Sequence, residues 1–323
     1  MSTVLFVTQT QAGREACGIG LMGNLVATVL VKSTEYKFEV IYTDEYGAVE
    51  AAIKNFNPVA VIYNYSNGTS PWMNQEHVRA KYNNIPHIKI HHDMHQGLVD
   101  AFIPAQYGNF PYLISDDPTL RGNDRVFITQ RIIPAYTPKN FPEPSIPTIG
   151  FQGFGPPHKG IYRIAQTVQN EFDEAILRLH ISPGLFGDPA GNDARKRVEE
   201  CRAIIRKPGI KIVATHTFVS NEELIDILAQ NTINCYFFDY LDGCGLASSP
   251  DFALAARKPI AITRSHQFRN LWNLSPSICI EQRTLRDIIQ SGLTPLLPLY
   301  EAYTEENLIK DYTRILHTIL KDN

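Results

Sequence analysis

Short apolar runs alternate with helical periods along this chain. A single stretch, residues 135–147, interrupts the series with Pro138, Pro142, Pro144 and Pro147. Strands that alternate with helices bury their apolar surface best in a parallel sheet covered on both faces. Before the prolines, strands are expected at 4–7, 38–42, 59–63, 87–93, 112–115 and 125–128, with helices at 21–31, 48–56 and 78–82. After them, strands are expected at 148–151, 175–181, 211–215, 233–238 and 259–263. The helices there fall at 161–172, 194–205, 221–230, 252–257 and 304–320. Ser220 followed by Glu223 is a capping-box start.

The 323 residues leave room for two such units. The expected fold class is therefore α/β, with two Rossmann-like domains facing across a cleft. The domains are read as 1–137 and 148–303. Proline density strips regular structure from 138–147 and stiffens it as a linker. Residues 304–323 form a final amphipathic helix.

Composition removes several classes. The formal net charge is -3 and no Lys/Arg-rich run occurs, so nucleic acid is not an expected partner. Five scattered cysteines without CxxC spacing read as reduced thiols, not a disulfide frame or a zinc site. The N-terminus lacks a signal-peptide pattern, and no apolar run reaches transmembrane length. A cytoplasmic protein is expected, with peripheral membrane contact left open.

The stretch 238–251 carries the strongest chemical signal. It runs from an apolar strand through Asp242-Gly243-Cys244-Gly245-Leu246 to Ser248-Ser249-Pro250-Asp251. Ser249 suits an N-cap, Pro250 the first helical position and Asp251 the first turn. A helix start after a glycine turn presents N–H groups and a positive dipole end to an anion. A second glycine loop, from Gly153 to Lys159-Gly160, follows the strand at 148–151. In sheets of this kind ligands sit beyond the carboxyl ends of the strands.

Four segments resemble the GT-B glycosyltransferases, in particular the retaining family 4 type. They are Cys17-Gly18-Ile19-Gly20, His92-Asp93, Gly153 to Gly160, and Asp242 to Leu246 together with Ala253-Leu254-Ala255-Ala256-Arg257-Lys258-Pro259. Their order spans nearly the whole chain. The resemblance implies transfer of a sugar from a UDP- or GDP-type nucleotide-diphosphate donor to a glycan or other acceptor, as in polysaccharide biosynthesis. It implies a retaining reaction, and a final helix that packs back on the first domain. The chain departs from the family in its acidic pair. Asp242 stands at the first glutamate position, Phe252 falls at the second, and Asp251 lies one residue before it. A non-catalytic nucleotide-sugar binding protein and a nucleotide-sugar isomerase are the alternatives this departure raises.

On this reading Asp242, His92 and Lys159 are the catalytic candidates. Gly153, Lys159, Gly243, Gly245, Leu246, Ser248, Ser249 and Asp251 would bind the donor. Gly18 and Gly20 would let backbone approach the acceptor or the diphosphate. A developing diphosphate charge can be met by the Lys159 ammonium and by N–H groups at Gly245 and Leu246. No cofactor or metal is therefore expected, although Asp239 and Asp242 have DxxD spacing.

Each candidate also has a plainer reading. Lys159 could be a solvated turn lysine, Ser249 only a cap, Asp242 a turn residue supporting Gly243. His92 could be hydrogen-bonded structure at a strand end. His91 and His92, if both on a strand, point to opposite faces and do not share an ion. Gly18 to Gly23 matches the GxGxxG spacing of nicotinamide-binding folds, but lies too far past Val7 for the tight turn such a site needs.

Overall fold

The computed structural model describes residues 1–10, 18–184 and 187–321. Cys17, the first residue of the N-terminal glycine motif, lies outside them. The chain divides into two compact units. Unit 1 is Met1–Ile132 with Gly243–Gly245 and Ala302–Asn323, and unit 2 is Ile133–Asp242 with Leu246–Glu301.

Unit 1 holds a six-stranded parallel sheet. Its strands are β1 (Ser2–Thr8), β2 (Tyr36–Tyr42), β3 (Ala60–Asn64), β4 (His87–Ile90), β5 (Tyr112–Ser115) and β6 (Val126–Ile128), in the order β2-β1-β3-β4-β5-β6. Every residue of β3, β4 and β5 is buried. This is why β3 and β5 read as nearly continuous apolar runs, whereas β4 buries His87 and Lys89 beside its isoleucines. Burying each large apolar side chain contributes about 1.5–3 kcal/mol.

The helix Glu305–Lys321 completes unit 1. Its buried positions Leu308, Tyr312, Ile315, Leu316 and Ile319 recur at helical spacing. Glu305 pairs with Lys32 at 2.7 Å, and Asp311 accepts the Gln130 N–H at 2.8 Å.

Unit 2 holds a five-stranded parallel sheet. Its strands are β7 (Thr148–Gly153), β8 (Glu174–Ile181), β9 (Gly209–Thr215), β10 (Ile233–Tyr236) and β11 (Ile260–Ile262), in the order β11-β10-β7-β8-β9. The expected capping box is present. Ser220 accepts the Glu223 N–H, and Glu223 accepts the Ser220 N–H.

The proline-rich segment lacks regular structure and is fastened within unit 2. Asp226 accepts the Lys139 N–H at 3.0 Å and pairs with the Lys139 ammonium at 2.9 Å, while Glu143 pairs with Lys258 at 2.6 Å.

Three sequence expectations change. β4 stops at Ile90, so His91, His92 and Asp93 leave the sheet in a turn, and strand alternation does not govern where they point. The helix expected from Leu21 already starts at Gly18, placing Gly18 and Gly20 in its first turn instead of in a loop. The helix Ser249–Ala255 begins one residue early. Ser248 therefore holds the N-cap position, and its side chain makes no capping hydrogen bond. Two short helices, Leu285–Ser291 and Leu297–Ala302, carry too few turns to show in the periodicity. Among the described residues no helix is long and apolar enough to cross a membrane.

Candidate functional site

A parallel sheet with helical crossovers opens a crevice where the strand order reverses, because the chain leaves adjacent strands toward opposite faces. In unit 2 that point lies between β7 and β10, the strands that precede the two glycine loops singled out in the sequence.

The loop after β7 is shaped by close approach. Gly160 has φ +58, and a Cβ there would lie 1.9 Å from the Phe237 carbonyl oxygen. Only glycine lets the two loops come this near. Across the same contact the Asp239 N–H donates to the His158 carbonyl at 2.7 Å.

Lys159 is thereby carried over the end of β10. Its ammonium lies 3.8 Å from the centre of the Phe238 ring, an attraction between cation and aromatic face. Burial and the neighbouring Lys159 charge hold the His158 imidazole below its ordinary pKa. Gly153, with φ +144, ends β7 facing the Ser249 hydroxyl, and the Gln152 amide donates to the Ser249 carbonyl at 3.3 Å.

The residues after β10 are held by side chains from beyond β11. The Thr263 hydroxyl donates to the Phe238 carbonyl at 2.6 Å, and the Ser265 hydroxyl to the Asp239 carbonyl at 2.8 Å. Asp239 pairs with Arg163 at 2.6 Å. Asp242 is exposed and accepts the Tyr240 phenol at 2.9 Å. Asp239 and Asp242 thus have different partners. Among the described residues no three His, Cys, Asp or Glu side chains converge as metal ligands would.

Asp251 sits in the first turn of Ser249–Ala255 but only 2% exposed, with its charge felt at Tyr236. Ser248, Ser249 and Leu246 are half-buried near the same helix start.

Within unit 1 the corresponding reversal lies between β1 and β3. Gln9 and Asn64 stand there, both fully buried. The Gln9 amide donates to the Asn64 carbonyl and to the Ser70 hydroxyl, each at 3.0 Å. The Asn64 amide donates to Gln9 Oε1 at 2.9 Å and to the Ile19 carbonyl at 3.2 Å. Gly23 makes room for it, since a Cβ at Gly23 would lie 1.9 Å from Asn64 Nδ2. The third glycine of the GxGxxG spacing therefore serves a side-chain contact. Gly18 is half-buried and Gly20 buried in the same helix.

His92 meets this group. Its Nε2 lies 2.9 Å from Asn64 Oδ1, and its Nδ1 lies 3.3 Å from Asp116 Oδ2. Asp116 also pairs with Arg131 at 3.2 Å. Burial would raise the Asp116 carboxyl, but the His92 and Arg131 charges outweigh it and hold the group well below the usual carboxylate range.

Next to His92, the Gly245 N–H donates to Asp93 Oδ1 at 2.9 Å. A Cβ on Gly245 would lie 2.2 Å from the His92 carbonyl oxygen. The N–H that the sequence reading offered to an anion is thus engaged by a carboxylate. Gly243 is exposed, with φ +70 and open space around it.

The two parallel-sheet α/β units match known structures over nearly the whole chain. The fold is that of the GT-B glycosyltransferases. A glycosyltransferase from Rickettsia africae ESF-5 aligns with TM-score 0.63 and 10% identity, covering 100% of this chain and 99% of that one. Anabaena Alr3699/HepE in complex with UDP aligns with TM-score 0.64 and 11% identity, covering 98% of this chain and 100% of its own. An alpha-glucosyltransferase in complex with UDP-glucose and DNA containing an abasic site aligns with TM-score 0.61 and 10% identity, covering 98% and 99%. No family model matches the chain, and no curated protein matches it in sequence.

Within this GT-B fold, Asn64, Asp116 and Arg131 are the neighbours of His92 in unit 1 that the motifs did not reveal. Asn64 had one visible signal, a polar residue closing the apolar run at 59–63. Asp116 and Arg131 had none.

Proposed function

We propose that this chain is a glycosyltransferase that takes its sugar from a nucleotide-diphosphate donor held by unit 2. The observation that carries the reading is the placement of Lys159. It stands at the β7/β10 reversal, on a loop closed by Gly160 and over the Phe238 ring. A cation fixed there can meet the charge that grows on a departing diphosphate, so it strengthens in the transition state more than in the ground state. The bond from the sugar's anomeric carbon to the diphosphate breaks as the acceptor oxygen bonds that carbon. The acceptor's proton leaves with the diphosphate or to solvent. With Lys159 supplying the charge, no metal is called for.

Asp242, exposed at the end of the β10 loop, is assigned to the sugar hydroxyls, with Tyr240 orienting its carboxylate. UDP-glucose is the first donor to test, because two of the similar structures carry UDP or UDP-glucose. A retaining outcome, a hexose donor and a glycan acceptor complete the reading.

The test is donor hydrolysis and transfer across UDP- and GDP-sugars, for wild type, Lys159→Ala and Asp242→Ala. Turnover that falls in both variants supports it; equal rates in all three would remove the site assignment. One observation favours a binding protein without transfer, the burial of Asp251 where a donor contact was expected. Calorimetric binding of a nucleotide sugar with no turnover on any acceptor would establish that alternative.

A further inference from the structure

His92 is enclosed by oxygen acceptors on both ring nitrogens, and the acceptor on each side can be identified. The chain of amides begins at two main-chain carbonyls, which can only accept. The Asn64 carbonyl takes the Gln9 amide N–H, so Gln9 turns its Oε1 toward Asn64. The Ile19 carbonyl and Gln9 Oε1 both face Asn64 Nδ2, so Asn64 must turn its Oδ1 away from them. That oxygen is the one 2.9 Å from His92 Nε2. On the other side of the ring stands the Asp116 carboxylate, which Arg131 also pairs with. A neutral imidazole donates from one nitrogen only, and would leave its second lone pair facing an oxygen lone pair in a mostly buried place. The His92 side chain is 11% exposed, so water offers little relief.

We propose that Asn64 and Asp116 are positioning residues that hold His92 as a doubly protonated, fixed cation at the carboxyl end of the unit 1 sheet. The charged and titratable groups around it are Asp116 after β5, Arg131 after β6, and its chain neighbours His91 and Asp93. Tyr312 of Glu305–Lys321 feels the Asp116 charge from the packed helix.

A consequence follows that rests on the transfer reaction proposed above. A ring without a vacant lone pair cannot take the acceptor's proton. His92 then acts by charge, and transfer proceeds without a histidine base.

The experiment is nuclear magnetic resonance of the whole protein with nitrogen-15-labelled histidine, correlating the carbon-bound ring protons with both ring nitrogens. His92→Gln identifies the His92 signals by their loss. At pH 7 both His92 nitrogens are expected in the protonated range, and in Asp116→Asn at the same pH one of them is expected to leave it. An unprotonated His92 nitrogen in the wild type at pH 7 would overturn the proposal, whether or not the variant folds. The readout needs no turnover, so its outcome is separate from that of the glycosyltransferase reading.

Discussion

The ammonium of Lys159 lies 3.8 Å from the centre of the Phe238 ring, so the loop after β7 is tied by a charge to the end of β10. The ring fixes a long flexible side chain that would otherwise sample many rotamers in water. In the proposed reaction, a cation ordered before the donor arrives costs less to use when the diphosphate develops its charge.

Lys159→Met keeps much of the side-chain length and removes the charge. It is expected to lower kcat/KM for the donor by roughly a hundredfold, the cost of removing one such stabilising group. Phe238→Leu keeps the charge and loosens its seat, and should cost less. Steady-state kinetics on both variants give the ranking. A Lys159→Met enzyme with wild-type kcat/KM would mean that the lysine serves only the loop.

Gly160 and Gly243 separate two demands on glycine. Both have left-handed φ, which costs a residue with a side chain roughly 1–2 kcal/mol. Gly243→Ala meets open space and should lose about that much. Gly160→Ala also drives a methyl into the Phe237 carbonyl and should lose clearly more. Urea unfolding midpoints compare them, and equal losses would show that the two loops can separate freely.

Lys89 gives the protein a pH dependence above neutrality. It lies buried on β4 with its ammonium 3.6 Å from the centre of the Tyr65 ring and 2.8 Å from Asn74 Oδ1. Burial, then the Arg79 charge, lowers its pKa to about 7 from 10.5. Between those values the unfolded chain binds more protons than the folded one, so stability rises with pH across that window. Below about 7 the charged amine must be buried and the gain is absent. Lys89→Met should flatten the slope of unfolding free energy between pH 7 and 9. A slope unchanged by the substitution would place its origin elsewhere.

Acid acts on the histidines of the same strand and turn. Burial lowers His87 to about 4 and His91 to about 3, both from 6.5. The unfolded chain again binds more protons below 6.5, so stability is lost as pH falls from there toward 4. His91 packs against the Tyr107 ring at 5.2 Å, and a phenylalanine can fill that space without titrating. His91→Phe is expected to lower the midpoint of acid unfolding, measured by circular dichroism. An unmoved midpoint would show that His91 is protonated without unfolding.

Ser220→Ala removes a capping bond at the helix Asn221–Ala229 and should cost about 1 kcal/mol. The same loss is expected for Thr284→Ala at Leu285–Ser291, where Thr284 and Asp287 form a second capping box. Thermal unfolding of each variant checks the figure, and no change in either would mean those helix ends are frayed.

The amino-acid order alone determined the two α/β units, all eleven strand positions and the capping box at Ser220, because each is written in local periodicity and turn chemistry. It also marked Lys159, His92 and the Asp242–Leu246 turn as residues following strands. What it left open was which strand ends meet. Asn64 joins His92 and Gln9 because β3 lies between β1 and β4, and Lys159 reaches Phe238 because β10 lies beside β7. Strand order in a parallel sheet is chosen by how crossover helices pack, over separations of dozens of residues, and no local pattern encodes it. The same holds for Asp251, whose place in a first turn is local but whose burial is set by neighbours far along the chain. Tertiary packing also decided that Gly245 spends its N–H on Asp93, two residues that sequence motifs could name but not bring together.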